Sequence, residues 1–174
     1  MLRMIKTILA AGLVGLMVCL FVTPVMAASD FGFPSDWTSW IKMREYKFPC
    51  TDVGEQPKVV QNTITIYCPL FLEDSLTSIW ARPEAKAVLD AKTNDYPDGP
   101  NFIFSASNVQ GLGHILLVKG HKLGMPVYGI FQVDGTDIEG AAKAVSKSTC
   151  ISCHDAYCRP VGICSDQAWN NFSK

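Results

Sequence analysis

The chain has 174 residues, 48% of them hydrophobic, and its 15 basic and 16 acidic residues give a formal net charge of −1. This balance argues against nucleic acid as a partner, because such binding needs a clustered basic surface. The length suits one domain with a buried core, and the sequence contains neither internal repeats nor low-complexity tracts.

Residues 1–27 have the composition of a secretory signal peptide. Arg3 and Lys6 precede an apolar stretch at 8–22, and small side chains follow it. These are the three parts of an export signal. The alternative is an uncleaved membrane anchor, for which the apolar stretch is short. Cleavage would leave residues 28–174 as a single soluble domain in the periplasm or an equivalent oxidising compartment.

The first part of this domain is expected to contain a helix and a strand. Residues 34–36 can open a short helix, in which Trp37, Trp40 and Arg44 recur at helical spacing. Residues 59–67 alternate in character and are rich in β-branched side chains, which is typical of a strand.

The middle of the domain is predicted to contain two helices and then a meander of strands. Residues 70–80 can form a helix, which Pro83 ends, and residues 84–92 can form another. A turn cluster follows at 94–100. Three antiparallel strands separated by glycine-containing turns are then expected, at 101–105, 114–119 and 127–133.

A final helix is expected near the C-terminus. Thr136, followed three residues later by Glu139, fits a capping box, so the helix would run through 141–145 towards Cys150. The order of elements predicts an α+β fold, mainly an antiparallel β-sheet with flanking helices and a helix at the C-terminal end.

That last helix would carry a Cys-x-x-Cys-His motif, formed by Cys150, Cys153 and His154. Two thiols at this spacing can add to the two vinyl groups of one porphyrin, and the adjacent imidazole then reaches the iron. The motif predicts one covalent haem c, with Cys150 and Cys153 as attachment residues and His154 as the proximal iron ligand.

Two other interpretations of the motif are weaker. A structural zinc site would need a second ligand pair at matching spacing, and Cys158 and Cys164 are too far apart for that. A thioredoxin-like redox pair should follow an early strand, whereas this pair comes after the main strand pattern. Haem is therefore favoured over both.

The position of the motif separates this chain from two common types of cytochrome. Small all-helical cytochromes carry the motif near the N-terminus and use a downstream methionine as sixth ligand, but no methionine follows His154. Four-helix-bundle cytochromes carry it near the C-terminus, but the β-rich middle, 10 prolines and 13 glycines argue against a bundle.

Several short segments occur in the order found in one family of c-type cytochromes. They are the tryptophan-bearing first helix, the strand ending in Tyr67, Cys68 and Pro69, the run 96–99, the segments 117–119 and 128–131, the helix at 141–143 and the haem motif. The chain thus resembles the cytochrome P460 and cytochrome c′-beta family over nearly all of residues 28–174. The resemblance implies a small antiparallel sheet with flanking helices, a homodimer or a heterodimer with a related cytochrome, and a role in binding or oxidising small nitrogen compounds.

Three departures from the P460 members favour the c′-beta branch. Aligning on Asp98 and Gly99 puts Phe104 where P460 proteins carry a lysine bonded to haem. The same comparison puts Thr63 in place of a distal arginine and Ile115 in place of a carboxylate. The resemblance therefore implies that Phe104, Ile115 and Thr63 lie near the cofactor, in a pocket that admits neutral gases. From the sequence alone, Phe104 could equally be part of the sheet core.

Four further cysteines are expected to form disulfides in an oxidising compartment. Cys158 and Cys164 enclose a short loop, and Cys50 and Cys68 could form the other pair. Alternatively, Cys50 lies in a loop that the resemblance places over the pocket, where its thiolate could be a displaceable distal iron ligand. Such a ligand would lower the reduction potential.

Other donor groups are expected to have structural or solvated roles. A lone histidine at a strand edge or turn is more often structural than a ligand, and a methionine next to a turn more often packs. This applies to His114, His121, Met43 and Met125, while Lys119 and Lys122 are expected to be solvated.

Two function classes remain. The first is a binding protein for nitric oxide or carbon monoxide, which needs an open iron position and space beside it. The second is a low-potential electron carrier in nitrogen-compound metabolism, which exchanges electrons with redox partner proteins. Oxidation of hydroxylamine or nitric oxide is a weaker alternative, because the expected pocket offers no general base. No catalytic residue is predicted.

Overall fold

The structure is a computed structural model, and it describes residues 28–48, 50, 58–72 and 75–157. A five-stranded antiparallel sheet forms its centre, with the strands side by side in chain order. The strands are β1 (Ile41–Lys47), β2 (Leu76–Ala81), β3 (Gly99–Val109), β4 (Gly113–Lys122) and β5 (Met125–Gln132). The helices are α1 (Lys58–Tyr67), α2 (Pro83–Ala91) and α3 (Lys147–Tyr157). The predicted α+β class with a mainly antiparallel sheet is confirmed.

The predicted meander corresponds to β3, β4 and β5. Lys122 pairs with Met125 across a two-residue turn, in which Leu123 and Gly124 both have positive φ. Turns of this type match the right-handed twist of antiparallel strands. The helix predicted at 84–92 is also confirmed, because α2 begins at Pro83, where a proline costs no helical hydrogen bond.

Three predictions for the first half of the domain are wrong, namely the strand at 59–67, the helix after Pro34 and the helix at 70–80. Residues 59–67 form α1 and not a strand, because Thr63, Ile64 and Tyr67 also recur at helical spacing and bury one side of a helix. The expected helix after Pro34 is limited to a 3₁₀ turn at Trp37–Ser39. The chain then enters β1.

The helix predicted at 70–80 is also absent, because β2 occupies its second half. β2 lies between β1 and β3 and hydrogen-bonds to both, and these partners are more than 20 residues away in sequence. A local pattern of apolar residues does not reveal such long-range pairing. Among the described residues, no helix is both long and apolar enough to span a membrane.

The two faces of the sheet pack against different parts of the chain. One face buries Trp40, Leu116 and Phe131 beneath the segment that contains Phe31 and Phe33. The opposite face is covered by α1 and α3, and the core between them includes Phe48, Ile64, Phe71, Ala106, Ile115, Ile130 and Cys150. On this second face Phe104 pairs with Ile79 and Leu117.

The helix that bears the motif begins later than predicted. Residues 143–145 form a 3₁₀ turn, and α3 begins at Lys147. The capping box from Thr136 does not form. Glu139 instead accepts the backbone N–H of Lys147 through both carboxylate oxygens, at 2.9 and 3.1 Å. A second attachment comes from the Lys147 side chain, which donates to Asp30 at 2.9 Å and to the Ala28 carbonyl at 2.7 Å. These contacts fix the start of α3 against the sheet.

Candidate cofactor-binding site

The three residues of the Cys-x-x-Cys-His motif line one cavity. Cys150, Cys153 and His154 lie three and four positions apart on α3, and such residues share one side of a helix. Their side chains border a cavity of about 680 Å³ on the face of the sheet that α1 and α3 cover. This volume falls in the range of small-molecule and cofactor sites.

Two of the three residues placed near the cofactor by resemblance also line this cavity. Thr63 on α1 hydrogen-bonds to the thiol of Cys153, and Phe104 on β3 also lines the cavity. Ile115 is fully buried in the apolar core together with Cys150 and is not among the lining residues. The structure thus places Thr63 and Phe104 in the same cavity as the motif and Ile115 in the apolar core.

Phe104 belongs to both the core and the cavity wall. Its ring stacks on Tyr67 and Phe71 at centroid distances of 6.1 and 6.4 Å and meets Phe48 edge-on at 6.3 Å. The same side chain borders the cavity. A position in the sheet core and a position beside the cavity, both of which the sequence allowed for Phe104, are therefore compatible. The rings of Tyr67, Phe71 and Phe48 hold Phe104 in place.

Two tyrosines of the site were not predicted as site residues. The ring of Tyr128 on β5 lies 5.5 Å from the ring of His154. Tyr67 lies on α1, near Cys150 and Cys153. Burial raises the pKa of both phenols above its ordinary value, and the nearby thiols raise it further. Both side chains are therefore neutral hydrogen-bond donors at ordinary pH. Tyr67 lies four residues after Thr63 on α1, and both side chains line the cavity.

The prediction that Lys119 is solvated is wrong. Only 6% of Lys119 is exposed, and it lines the cavity. Burial lowers the pKa of its amine to about 7. Lys119 pairs with Phe102 and Tyr128 across the sheet and shares their inward face, whereas Lys122 at the end of the strand is exposed.

The pKa values of the two motif thiols are raised, unlike those of a thioredoxin-like redox pair. Neither is in a disulfide. Burial raises the pKa of Cys150 to about 12, and burial also raises the pKa of Cys153. Thioredoxin-like cysteines have lowered thiol pKa values at a helix N-terminus, whereas Cys150 is the fourth residue of α3.

In the part of the chain that the structure describes, no three His, Cys, Asp or Glu side chains are grouped to hold a metal ion. Cys158 and Cys164, the other cysteines considered for zinc, lie outside the described residues. The same holds for their predicted disulfide and for the signal peptide at 1–27.

Cys50 and Cys68 form the predicted disulfide. Their Cα atoms are 5.5 Å apart, within the usual range for the bond. A disulfide sulfur carries no thiolate, so Cys50 cannot act as an anionic iron ligand while the bond is intact. The bridge ties the segment after β1 to the end of α1, next to Tyr67 and Phe48.

The part of the cavity near β1 and α2 is basic. Its lining includes Lys42 and Arg44 on β1 and Lys86 and Lys92 on or next to α2. Asp90 is the only carboxylate among the described lining residues, and Lys86 lies 2.6 Å from it. The cavity therefore has thiols and an imidazole at α3, aromatic and aliphatic side chains along the sheet, and positive charge elsewhere on its wall.

The chain was compared with family models, curated proteins and solved structures, and none of them matches it. What the site does is therefore inferred from its residues and their placement. The decisive placement is that of Cys150, Cys153 and His154 on one wall of a cofactor-sized cavity.

Proposed function

We propose that the protein is an exported cytochrome with one covalent haem c that binds nitric oxide or another neutral diatomic gas. The observation that carries the proposal is the common cavity of Cys150, Cys153 and His154. Cys150 and Cys153 would hold the porphyrin through thioether bonds, and His154 would be the proximal ligand. Bound there, haem would supply an iron centre with one axial position for a gas.

The character of the cavity supports this cofactor. Haem is a flat apolar macrocycle with two carboxylates, and the cavity combines aromatic walls with five basic residues among its described lining. Export is supported by the disulfide between Cys50 and Cys68, because such bonds persist in oxidising compartments. The resemblance to the P460 and c′-beta family supports a dimer and exchange of electrons with redox partner proteins.

Gas binding is favoured over amine oxidation by the residues opposite the motif. Three side chains that line the cavity from the sheet, those of Phe104, Ile79 and Leu117, are apolar and offer no proton acceptor, whereas the amine of Lys119 on β4 also lines the cavity. Asp90 lies on α2 and is paired with Lys86. Oxidation of hydroxylamine requires proton removal, whereas a neutral gas needs only an open iron position and space.

One observation favours electron transfer as a second candidate. Met43 interrupts the pairing of β1 with β2 as a β-bulge and is among the lining residues. Bulges reorient side chains, and a methionine thioether opposite histidine is a common ligand pair of electron-carrying haem. A bound Met43 would close the sixth position to gases.

The two functions are separated by mixing the reduced holoprotein with nitric oxide in the absence of oxygen. A rapid shift of the Soret band supports gas binding, and an unchanged spectrum supports electron transfer. In the second case M43L should open the site and restore the shift. M125L is the matched control, because Met125 is 64% exposed at the end of a hairpin. Protein produced with a cytochrome c maturation system but lacking covalent haem would refute both.

A further inference from the structure

We infer that Asp30 is a positioning residue that sets the orientation of the His154 imidazole. Asp30 holds both the strand residue whose ring contacts His154 and the helix that carries His154. The inference rests on the proposed function, because it concerns the histidine that would bind the iron. Asp30 is not among the described residues that line the cavity, so it would act through other side chains.

The first link joins Asp30 to Tyr128 on β5. The backbone N–H of Asp30 donates to the Tyr128 carbonyl at 3.0 Å, and the Asp30 carboxylate accepts the backbone N–H of Tyr128 at 2.9 Å. Next to it, the Ser29 hydroxyl accepts the backbone N–H of Ile130 at 2.9 Å. Because β5 is an edge strand, these bonds supply partners for its outer backbone groups. They fix the backbone of Tyr128, whose side chain is 3% exposed.

The second link joins the same carboxylate to α3. The Lys147 ammonium group donates to the other carboxylate oxygen of Asp30 at 2.9 Å. Lys147 is the first residue of α3, and His154 follows seven positions later. Seven residues make nearly two helical turns, so the two side chains leave the same side of α3, roughly 10 Å apart along its axis. Asp30 therefore fixes α3 on the side that carries the imidazole.

The two links meet at the contact between Tyr128 and His154. The ring centroids are 5.5 Å apart, and the ring planes are inclined at 53°. Asp30 holds the strand on one side of this contact and the helix on the other. Groups packed against a metal-binding histidine set the orientation of its ring. Removing the Asp30 carboxylate should therefore release both sides of the contact and let the imidazole turn.

Glu139 offers a matched comparison, because it fixes the same end of α3 by a separate bond. Its carboxylate accepts the backbone N–H of Lys147 at 2.9 and 3.1 Å. E139A would loosen the start of α3 and leave the bonds between Asp30 and Tyr128 in place. A purely structural role of Asp30 would give D30A and E139A the same effect at the haem. A positioning role requires an effect that passes through Tyr128.

The test measures the proton NMR shifts of the haem methyl groups in exported holoprotein, in the ferric low-spin state with cyanide as sixth ligand. The pattern of these shifts follows the orientation of the plane of the proximal imidazole. D30A and Y128L should both change the pattern, and E139A should keep that of the wild type. The double variant D30A/Y128L should change it no further than Y128L, because both substitutions act through one contact.

A wild-type pattern in D30A would overturn the inference, and so would equal changes in D30A and E139A. Additive changes in D30A/Y128L would also overturn it, because Asp30 would then act on the haem by another route. If D30A does not fold, K147M is compared with E139A instead. A changed pattern in K147M alone supports the inference, and equal patterns overturn it. Wild-type protein without covalent haem would refute the proposed function itself, so the two failures are distinguishable.

Discussion

Glu139 should contribute about 1–2 kcal/mol to stability by capping α3, the helix that bears the Cys-x-x-Cys-His motif. Its two carboxylate oxygens accept the Lys147 N–H at 2.9 and 3.1 Å, and the residue is 5% exposed. A buried N–H that loses its partner costs roughly 1–3 kcal/mol, and an N-cap residue contributes about 1 kcal/mol. Burial raises the pKa of Glu139, although the Lys147 hydrogen bond lowers it, so the carboxylate itself carries a desolvation cost. That desolvation cost offsets part of the capping energy, so the expected contribution is about 1–2 kcal/mol and not the roughly 3 kcal/mol at the upper end for a buried N–H.

E139A is therefore expected to lower the free energy of unfolding by about 1–2 kcal/mol, measured by urea denaturation followed by tryptophan fluorescence. E139Q keeps an acceptor without the charge and should remain within about 0.5 kcal/mol of the wild type. D95A serves as the control, because Asp95 is exposed and lies between α2 and β3. Equal destabilisation by E139A and E139Q, or none by E139A, would refute the capping role.

Three further predictions concern the cavity wall, the N-terminal attachment and the disulfide. F104A should lower the free energy of unfolding by about 2 kcal/mol, because Phe104 is only partly buried. The same variant should accelerate nitric oxide association. Unchanged stopped-flow kinetics would show that Phe104 does not line the gas pocket. Burial alone would raise the pKa of Asp30, but hydrogen bonds from Tyr128 and Lys147 lower it below 3.8. A lowered pKa adds stability that is present above pH 3.8 and is lost as the pH falls. D30N should therefore lower the free energy of unfolding by about 1 kcal/mol at pH 7 and by progressively less below pH 3.8. A difference between D30N and the wild type that does not change with pH would contradict this. The C50A/C68A double variant should lose about 3 kcal/mol for its 18-residue separation yet keep the ferric spectrum, whereas a changed spectrum would restore Cys50 as a ligand.

The sequence predicted the parts of the fold that depend on local patterns. The meander of β3, β4 and β5 has clear turn residues, and α2 has a proline at its start. The segment 59–67 could not be resolved in the same way, because its β-branched residues satisfy both the strand and the helix period. β2 depends on partners far away in sequence, which no local window contains.

The residues of the candidate site also divide into those that a local sequence pattern reveals and those that it does not. Cys150, Cys153 and His154 could be identified from the sequence, because their fixed spacing is typical of one kind of site. Lys119 carries no such signal, since a lysine on a strand is usually exposed and its burial depends on tertiary packing that no local pattern shows. Tyr128 is likewise hidden, because its approach to His154 requires the return of the chain after β5.

The most direct test of the central claim is the intact mass of the exported protein, purified from cells that carry a cytochrome c maturation system. The account predicts that residues 28–174 carry the added mass of one haem, and that this mass is retained after denaturation. It also predicts that peptide mapping places the haem on Cys150 and Cys153. A protein of unmodified mass with both thiols free would contradict the claim.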